Sequence, residues 1–164
     1  MENDRNILEN REIDIYLPDL KYYDSGLSAK YSKASDYFAY ASKAIEEMIR
    51  ITGGLSWNIE HPELLDRGVI IRHMVLPGAK EDSIRLLHWL KDSLPEGKYL
   101  VSLMSQYTPF HKSADFPEIN RRITSYEYNK VLDTAINLGL VHGYMQEKSS
   151  AKEEYTPPFD LSGV

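Results

Sequence analysis

Gly68–Leu76 reads GVIIRHMVL, and the fold turns on this stretch. It is a nearly continuous apolar run rich in β-branched residues. Such a run predicts a strand buried on both faces of a parallel sheet. Pro77–Gly78 ends it. Downstream, Ile84, Leu87, Leu90 and Leu94 share one face of a helix predicted over Glu81–Leu94, closed by Pro95–Glu96–Gly97. Tyr99–Met104 reads as a second buried strand. Gln106–Arg121 is a long, polar, proline-containing loop, a common carrier of function. Thr124-x-x-Glu127 is a capping box. It opens a helix carrying Tyr128, Val131, Leu132, Ala135 and Leu138, which Gly139 stops. Tyr144–Gln146 reads as a last short strand.

Upstream, Ser35 serves as an N-cap. Tyr37, Phe38, Ala41, Ala44, Ile45, Met48 and Ile49 recur at three- and four-residue spacing in the clearest amphipathic helix of the chain. Gly53–Gly54 ends it. Leu55–Arg67 reads as a loop with one helical turn from Pro62. Before the helix, Ile13, Ile15 and Leu17 alternate in a strand running to about Leu20, followed by a turn or short helix over Ser25–Tyr31. Met1–Arg11 and Lys148–Val164 read as irregular ends. This alternation of strands and helices predicts right-handed crossovers and a parallel sheet, hence one α/β domain over residues 1–164. Functional groups are then expected at the carboxyl ends of the strands.

The chain has 164 residues and a formal charge of -6, with 25 acidic against 19 basic side chains. That balance argues against nucleic acid or an anionic membrane as the main partner. No apolar run reaches the roughly 18–20 residues of a membrane span. The polar Met1–Glu12 is no signal peptide. There is no cysteine, which excludes disulfides, thiolate nucleophiles and iron–sulfur ligation by this chain, and fits a cytoplasmic location.

Candidate groups cluster at the predicted strand ends. Asp19 and Lys21 fall on the side of Ile13, Ile15 and Leu17. They read as a pair holding a ligand that carries both charges, with Asp19 alternatively taking a hard cation, or as a strand-end ion pair of no function. Arg72 and His73 interrupt the apolar run and point to opposite faces. An Arg there needs a partner or a ligand; His73 reads as a satisfied core histidine. Gln106, Tyr107 and His111 follow the next strand. His61, His88 and His142 form no metal-binding spacing, and no phosphate loop, dinucleotide fingerprint or nucleophile elbow is present. A small hydrolase or isomerase using Asp19, Arg72 and His111 has no nucleophile–base spacing behind it.

The segments Asp14–Tyr23 (DIYLPDLKYY), Gly68–Gly78 (GVIIRHMVLPG), Leu103–Pro109 (LMSQYTP), Asn120–Tyr128 (NRRITSYEY) and Phe159–Val164 (FDLSGV) carry a resemblance. From about Glu12 onward the chain resembles the C-terminal half of radical S-adenosylmethionine proteins of the pyruvate formate-lyase activating type. The resemblance implies half of a partial (β/α) barrel, with parallel strands and covering helices. It also implies S-adenosylmethionine and a 4Fe–4S cluster as cofactors of the complete enzyme. The family's Asp-Leu-Lys motif falls on Asp19–Leu20–Lys21, near the S-adenosylmethionine. Its Arg-His/Tyr-x-Val-x-Pro-Gly motif falls on Arg72–Gly78, with the arginine facing the site. Gln106, Tyr107 and His111 occupy a further cofactor-facing region.

The family's C-x-x-x-C-x-x-C cluster motif and its Gly-Gly-Glu-like segment are missing, which implies a truncated chain with Met1 between the family's third and fourth strands. The resemblance implies reductive cleavage of S-adenosylmethionine and hydrogen abstraction, often from a glycine of a partner glycyl radical enzyme. This chain contributes no catalytic residue and no metal ligand to that chemistry and is expected to be inert alone. The other reading is a natural half-barrel that binds or assembles without catalysis. Half a barrel would expose Ile13, Ile15, Leu17, Ile70, Met74, Val101 and Leu103 on an apolar face and self-associate through it.

Overall fold

The computed structural model describes residues 13–140. Four strands form a small open sheet: β1 (Ile15–Tyr16), β2 (Ser56–Trp57), β3 (Leu65–Met74) and β4 (Leu100–Met104). Four helices accompany them: α1 (Ser25–Ser32), α2 (Tyr37–Thr52), α3 (Lys80–Ser93) and α4 (Ser125–Asn137), with a short 3-10 helix over His111–Asp115. The architecture is α/β. No helix among the described residues is long and apolar enough to cross a membrane. The segments read as irregular ends, Met1–Arg11 and Lys148–Val164, and the short strand at Tyr144–Gln146 lie outside the described residues.

β3 is the centre of the sheet. β1 and β4 both run parallel to it, and β2 pairs antiparallel with its first residues. Ile15 faces Gly68, Tyr16 faces Val69 and Asp19 faces Arg72, all at one sequence separation of 53. The first strand therefore holds a single register past its regular part. Arg72 N–H donates to Pro18 O at 2.9 Å, and Leu20 N–H donates to Arg72 O at 2.9 Å. Pro18 has no N–H to give, so the ladder is broken there and resumes at Asp19.

The stretch expected to be a loop, Leu55–Arg67, instead contains β2 and the start of β3. Asn58 turns the chain between them. Its Oδ1 accepts from Glu60 N–H at 2.9 Å and His61 N–H at 2.8 Å, while its Nδ2 donates to Asp66 Oδ1 at 3.0 Å. This is an Asx turn, which an asparagine makes locally. A two-residue strand leaves no periodicity to read. Gly68 lies opposite Ile15 of β1, just past the β3 residues that pair with β2 on the other side, at φ +153°, and a Cβ there would lie 2.7 Å from Leu55 Cδ2. Gly68→Ala is expected to cost about 1–2 kcal/mol. Chemical denaturation would measure it, and an unchanged midpoint would contradict the strain.

The two faces of the sheet differ sharply. Val69, Ile71, His73 and Val75 on β3 and its extension are at most 1% exposed, packed into one core with Leu86, Leu87, Leu90, Ile45 and Val131 from the helices. On the other face Ile70, Arg72, Met74 and Leu76 are only half-buried, while Ile15 and Leu17 are exposed. β3 is thus not buried on both faces. The expectation for β4 is corrected as well: Val101 and Leu103 are buried on the helix side, and Ser102 and Met104 are its open-face residues. An all-apolar strand does not disclose its phase, because both faces look alike in sequence.

Local signals explain the helix ends. Asp24 caps α1, its Oδ1 accepting from Gly26 and Leu27 N–H. The capping box forms at α4: Glu127 N–H donates to Thr124 Oγ1 and Thr124 N–H to Glu127 Oε2. α2 begins after Asp36 rather than Ser35, with no side-chain cap bond. His73 is a satisfied core histidine. Its Nδ1–H donates to Leu20 O at 2.6 Å, and Nε2 lies 2.9 Å from Ser83 Oγ. Burial pushes its pKa down, so the ring stays neutral.

Candidate functional site

The carboxyl ends of the parallel strands carry a cavity of about 290 Å³. Asp19 and Lys21 reach it from the end of the first strand, Arg72 from β3 and Tyr107 from just past β4. Met74, Leu76 and Met104 give it an apolar floor. Strand alternation does this: Arg72, Met74 and Leu76 are every second residue, as are Asp19 and Lys21.

Asp19 pairs with Arg72 rather than with Lys21. Arg72 Nε donates to Asp19 Oδ1 at 2.8 Å, and Nη2 lies 2.7 Å from the same oxygen in an ion pair. Each side chain is 42% exposed, so the pair adds at most about 1 kcal/mol to stability. Its use is geometric, since it ties the guanidinium to the end of the neighbouring strand. Asp19 Oδ2, Arg72 Nη1 and Lys21 Nζ have no partner among the described residues. The cavity therefore presents one carboxylate oxygen and two cations above an apolar floor. That set is complementary in charge and polarity to a small molecule bearing both signs of charge and an apolar body. It contains no nucleophile–base pair. No group of His, Asp or Glu among the described residues is placed to hold a metal ion.

A second cavity of about 280 Å³ adjoins the first and shares Tyr22, Leu76 and Tyr107 with it. Its aromatic walls include Tyr31, Phe110 and Phe116, and His111 lies there at φ +52°. Four of the six residues singled out from sequence thus meet in one cavity: Asp19, Lys21, Arg72 and Tyr107. His111 lines the neighbouring one with Tyr107, and Gln106 lines neither.

The sequence reading missed Tyr22, Met104 and the Tyr31–Glu118 pair. Alternation from Ser102 would have found Met104. Nothing in the sequence signals that Tyr31 donates to Glu118 Oε1 at 2.8 Å across 87 residues. Glu118, also ion-paired to Lys30, is held at a pKa of about 2 chiefly by that lysine. Tyr31 is pushed up to about 12 by burial and then by Glu118.

A larger cavity of about 380 Å³ lies at the other end of β4, lined by Leu55, Trp57, Tyr99 and Leu100. Its charged lining residues, Lys91 and Glu96, are paired with each other at 2.9 Å. It offers no reactive group, so size does not make it the site.

No known protein-family profile matches the chain. No solved structure matches it. Among curated proteins it is similar to an uncharacterized protein of Methanocaldococcus jannaschii, 29% identical over 133 residues that cover 79% of this chain and 34% of that protein. The chain spans about a third of the length of that relative.

Proposed function

We propose that this chain is the cofactor-facing wall of a radical S-adenosylmethionine protein of the pyruvate formate-lyase activating type, forming the C-terminal half of its partial (β/α) barrel. One observation carries this reading. The residues that match the family's two motifs, Asp19 and Lys21 on one strand and Arg72 on the next, converge on a single cavity at the strands' carboxyl ends. A half-covered sheet supports it, because a barrel wall keeps one face open. So does a relative about three times as long as the match.

The donor set fits S-adenosylmethionine. Arg72 and Lys21 suit its carboxylate, Asp19 its positive groups, and the Met74–Leu76–Met104 floor its apolar parts. The donor set does not fit the 4Fe–4S cluster, for the chain has no cysteine. A cluster would have to be held by another segment or chain, and no step is derived through it. When bound beside a reduced cluster, S-adenosylmethionine supplies one-electron chemistry. This chain's share is to bind and orient it and to exclude water with the apolar floor. A glycyl radical enzyme is the partner this reading implies, self-association through the open face its consequence, and the cytoplasm its location. The competing reading, a binding or assembly module without catalysis, draws on the same open face and the same lack of cysteine.

The test is an NMR titration of the chain with S-adenosylmethionine, sensitive to millimolar binding. Saturable shifts are expected at Lys21, Arg72 and Met104. Arg72→Ala should weaken binding about tenfold or more, the cost of a lost charged hydrogen bond. Its melting temperature should hardly move, because the pair is half-exposed. No saturable binding, or binding indifferent to Arg72→Ala and Asp19→Asn alike, would sink the reading.

A further inference from the structure

We propose that Tyr37 is the positioning residue of this cavity, its phenol standing in for one residue of a neighbouring strand and so fixing the backbone that aims Asp19 and Lys21. Helical spacing assigns Tyr37 to the apolar face of α2, and its ring does pack there, edge-on to Tyr22 at 5.5 Å and 79°. The hydroxyl goes further. It donates to Asp19 O at 2.8 Å and accepts from Lys21 N–H at 2.9 Å.

Those two backbone groups are a matched set. Pro18 and Leu20 turn their groups toward β3, accepting from and donating to Arg72. Asp19 and Lys21, one residue out of phase, turn theirs to the outer edge. In a parallel sheet, a single residue of the next strand would donate to the carbonyl of residue i−1 and accept from the N–H of residue i+1. The Tyr37 hydroxyl makes the same two bonds around Leu20. Among the described residues β1 pairs only with β3, so nothing else serves this edge. The phenol must carry its proton to donate and accept at once. Burial, the main cause, pushes its pKa up, which keeps it protonated at neutral pH.

Two consequences follow. The edge at Asp19–Lys21 is closed to strand addition, so any further strand on that side pairs below it, along Ile13–Leu17. And the directions of Asp19 and Lys21 depend on a side chain that does not line the cavity.

Tyr37→Phe keeps the ring and removes both bonds. In the variant, hydrogen exchange at the Lys21 amide should speed up at least tenfold. The Leu94 amide, bonded to Leu90 O in the core, serves as the control for intact folding and should not change. The Arg72 Nε–H resonance, which reports the bond to Asp19, should shift. Affinity for S-adenosylmethionine should fall about fivefold, the worth of a modest hydrogen-bond contribution. Unchanged Lys21 exchange, or an unmoved Arg72 signal, would overturn the assignment, as would equal affinity in both proteins. The affinity arm rests on the proposed function, and the exchange and Arg72 arms do not. A parent chain that fails to bind S-adenosylmethionine therefore refutes that function, while the two ligand-free signals still decide the role of Tyr37.

Discussion

Replacing Glu127 by alanine is expected to destabilise the chain by about 3 kcal/mol and to lower its melting temperature by about 6–12 °C. The carboxylate is the junction of three segments. Oε1 accepts from Gly78 N–H at 2.8 Å, in the turn after β3, and from Arg121 Nη2 at 2.7 Å. Oε2 accepts from Thr124 N–H, Thr124 Oγ1 and Arg121 Nη1 at 3.0, 2.8 and 2.9 Å. The residue is only 8% exposed, so water cannot easily replace it. Loss of the cap contributes about 1 kcal/mol. Donors left without an acceptor contribute about 1–3 kcal/mol more.

The bond from Arg121, above all, holds the Glu127 carboxyl well below the usual carboxylate range. A depressed folded pKa means stability present above the unfolded value, near 4.3, and lost as pH falls toward the folded one. Melts of Glu127→Ala and its parent should therefore differ most at neutral pH and converge in acid. Glu127→Gln should fall between them. An alanine variant melting within about 2 °C of its parent at neutral pH would refute the account.

His73→Leu is expected to cost about 2–4 kcal/mol despite its apolar replacement. The change leaves Leu20 O and the Ser83 hydroxyl buried without the imidazole. Leu20 is the residue between Asp19 and Lys21, so the loss also loosens the cavity's edge. The parent should show its own pH signature. Burial depresses the folded pKa of His73, so stability is full above the unfolded value, near 6.5, and declines as pH falls below it. The variant should lack that slope. Urea titrations at pH 5 and 8 would show it, and equal slopes in both proteins would contradict it.

Long elements were legible in the sequence. α2, α3 and α4 lie within a few residues of their apolar periodicities, because each buries a stripe against the sheet. The alternation of Ile13, Ile15 and Leu17 placed Asp19 and Lys21 on one side, and the structure puts both on the open face. Their company was not legible. Spacing sets Asp19 beside Lys21, yet its partner is Arg72, 53 residues away, because strand pairing and not spacing brings them together. β2 is too short to show a period. The phase of β4 was hidden by its apolar composition. Tyr37 read as core because a helical stripe says where a ring packs and nothing of what its hydroxyl meets.

The unbroken register of the first strand bears on how the gene can drift. Asp19 stands opposite Arg72 at the same offset that sets Ile15 opposite Gly68. Losing one codon between Ile15 and Asp19 would swing Leu20 and Tyr22 out to solvent and drive two charged side chains into the core. Point changes at Ile15 or Leu17 alter only exposed surface. That stretch is thus bound in its length and at Asp19, while Ile15 and Leu17 leave the core untouched when they change.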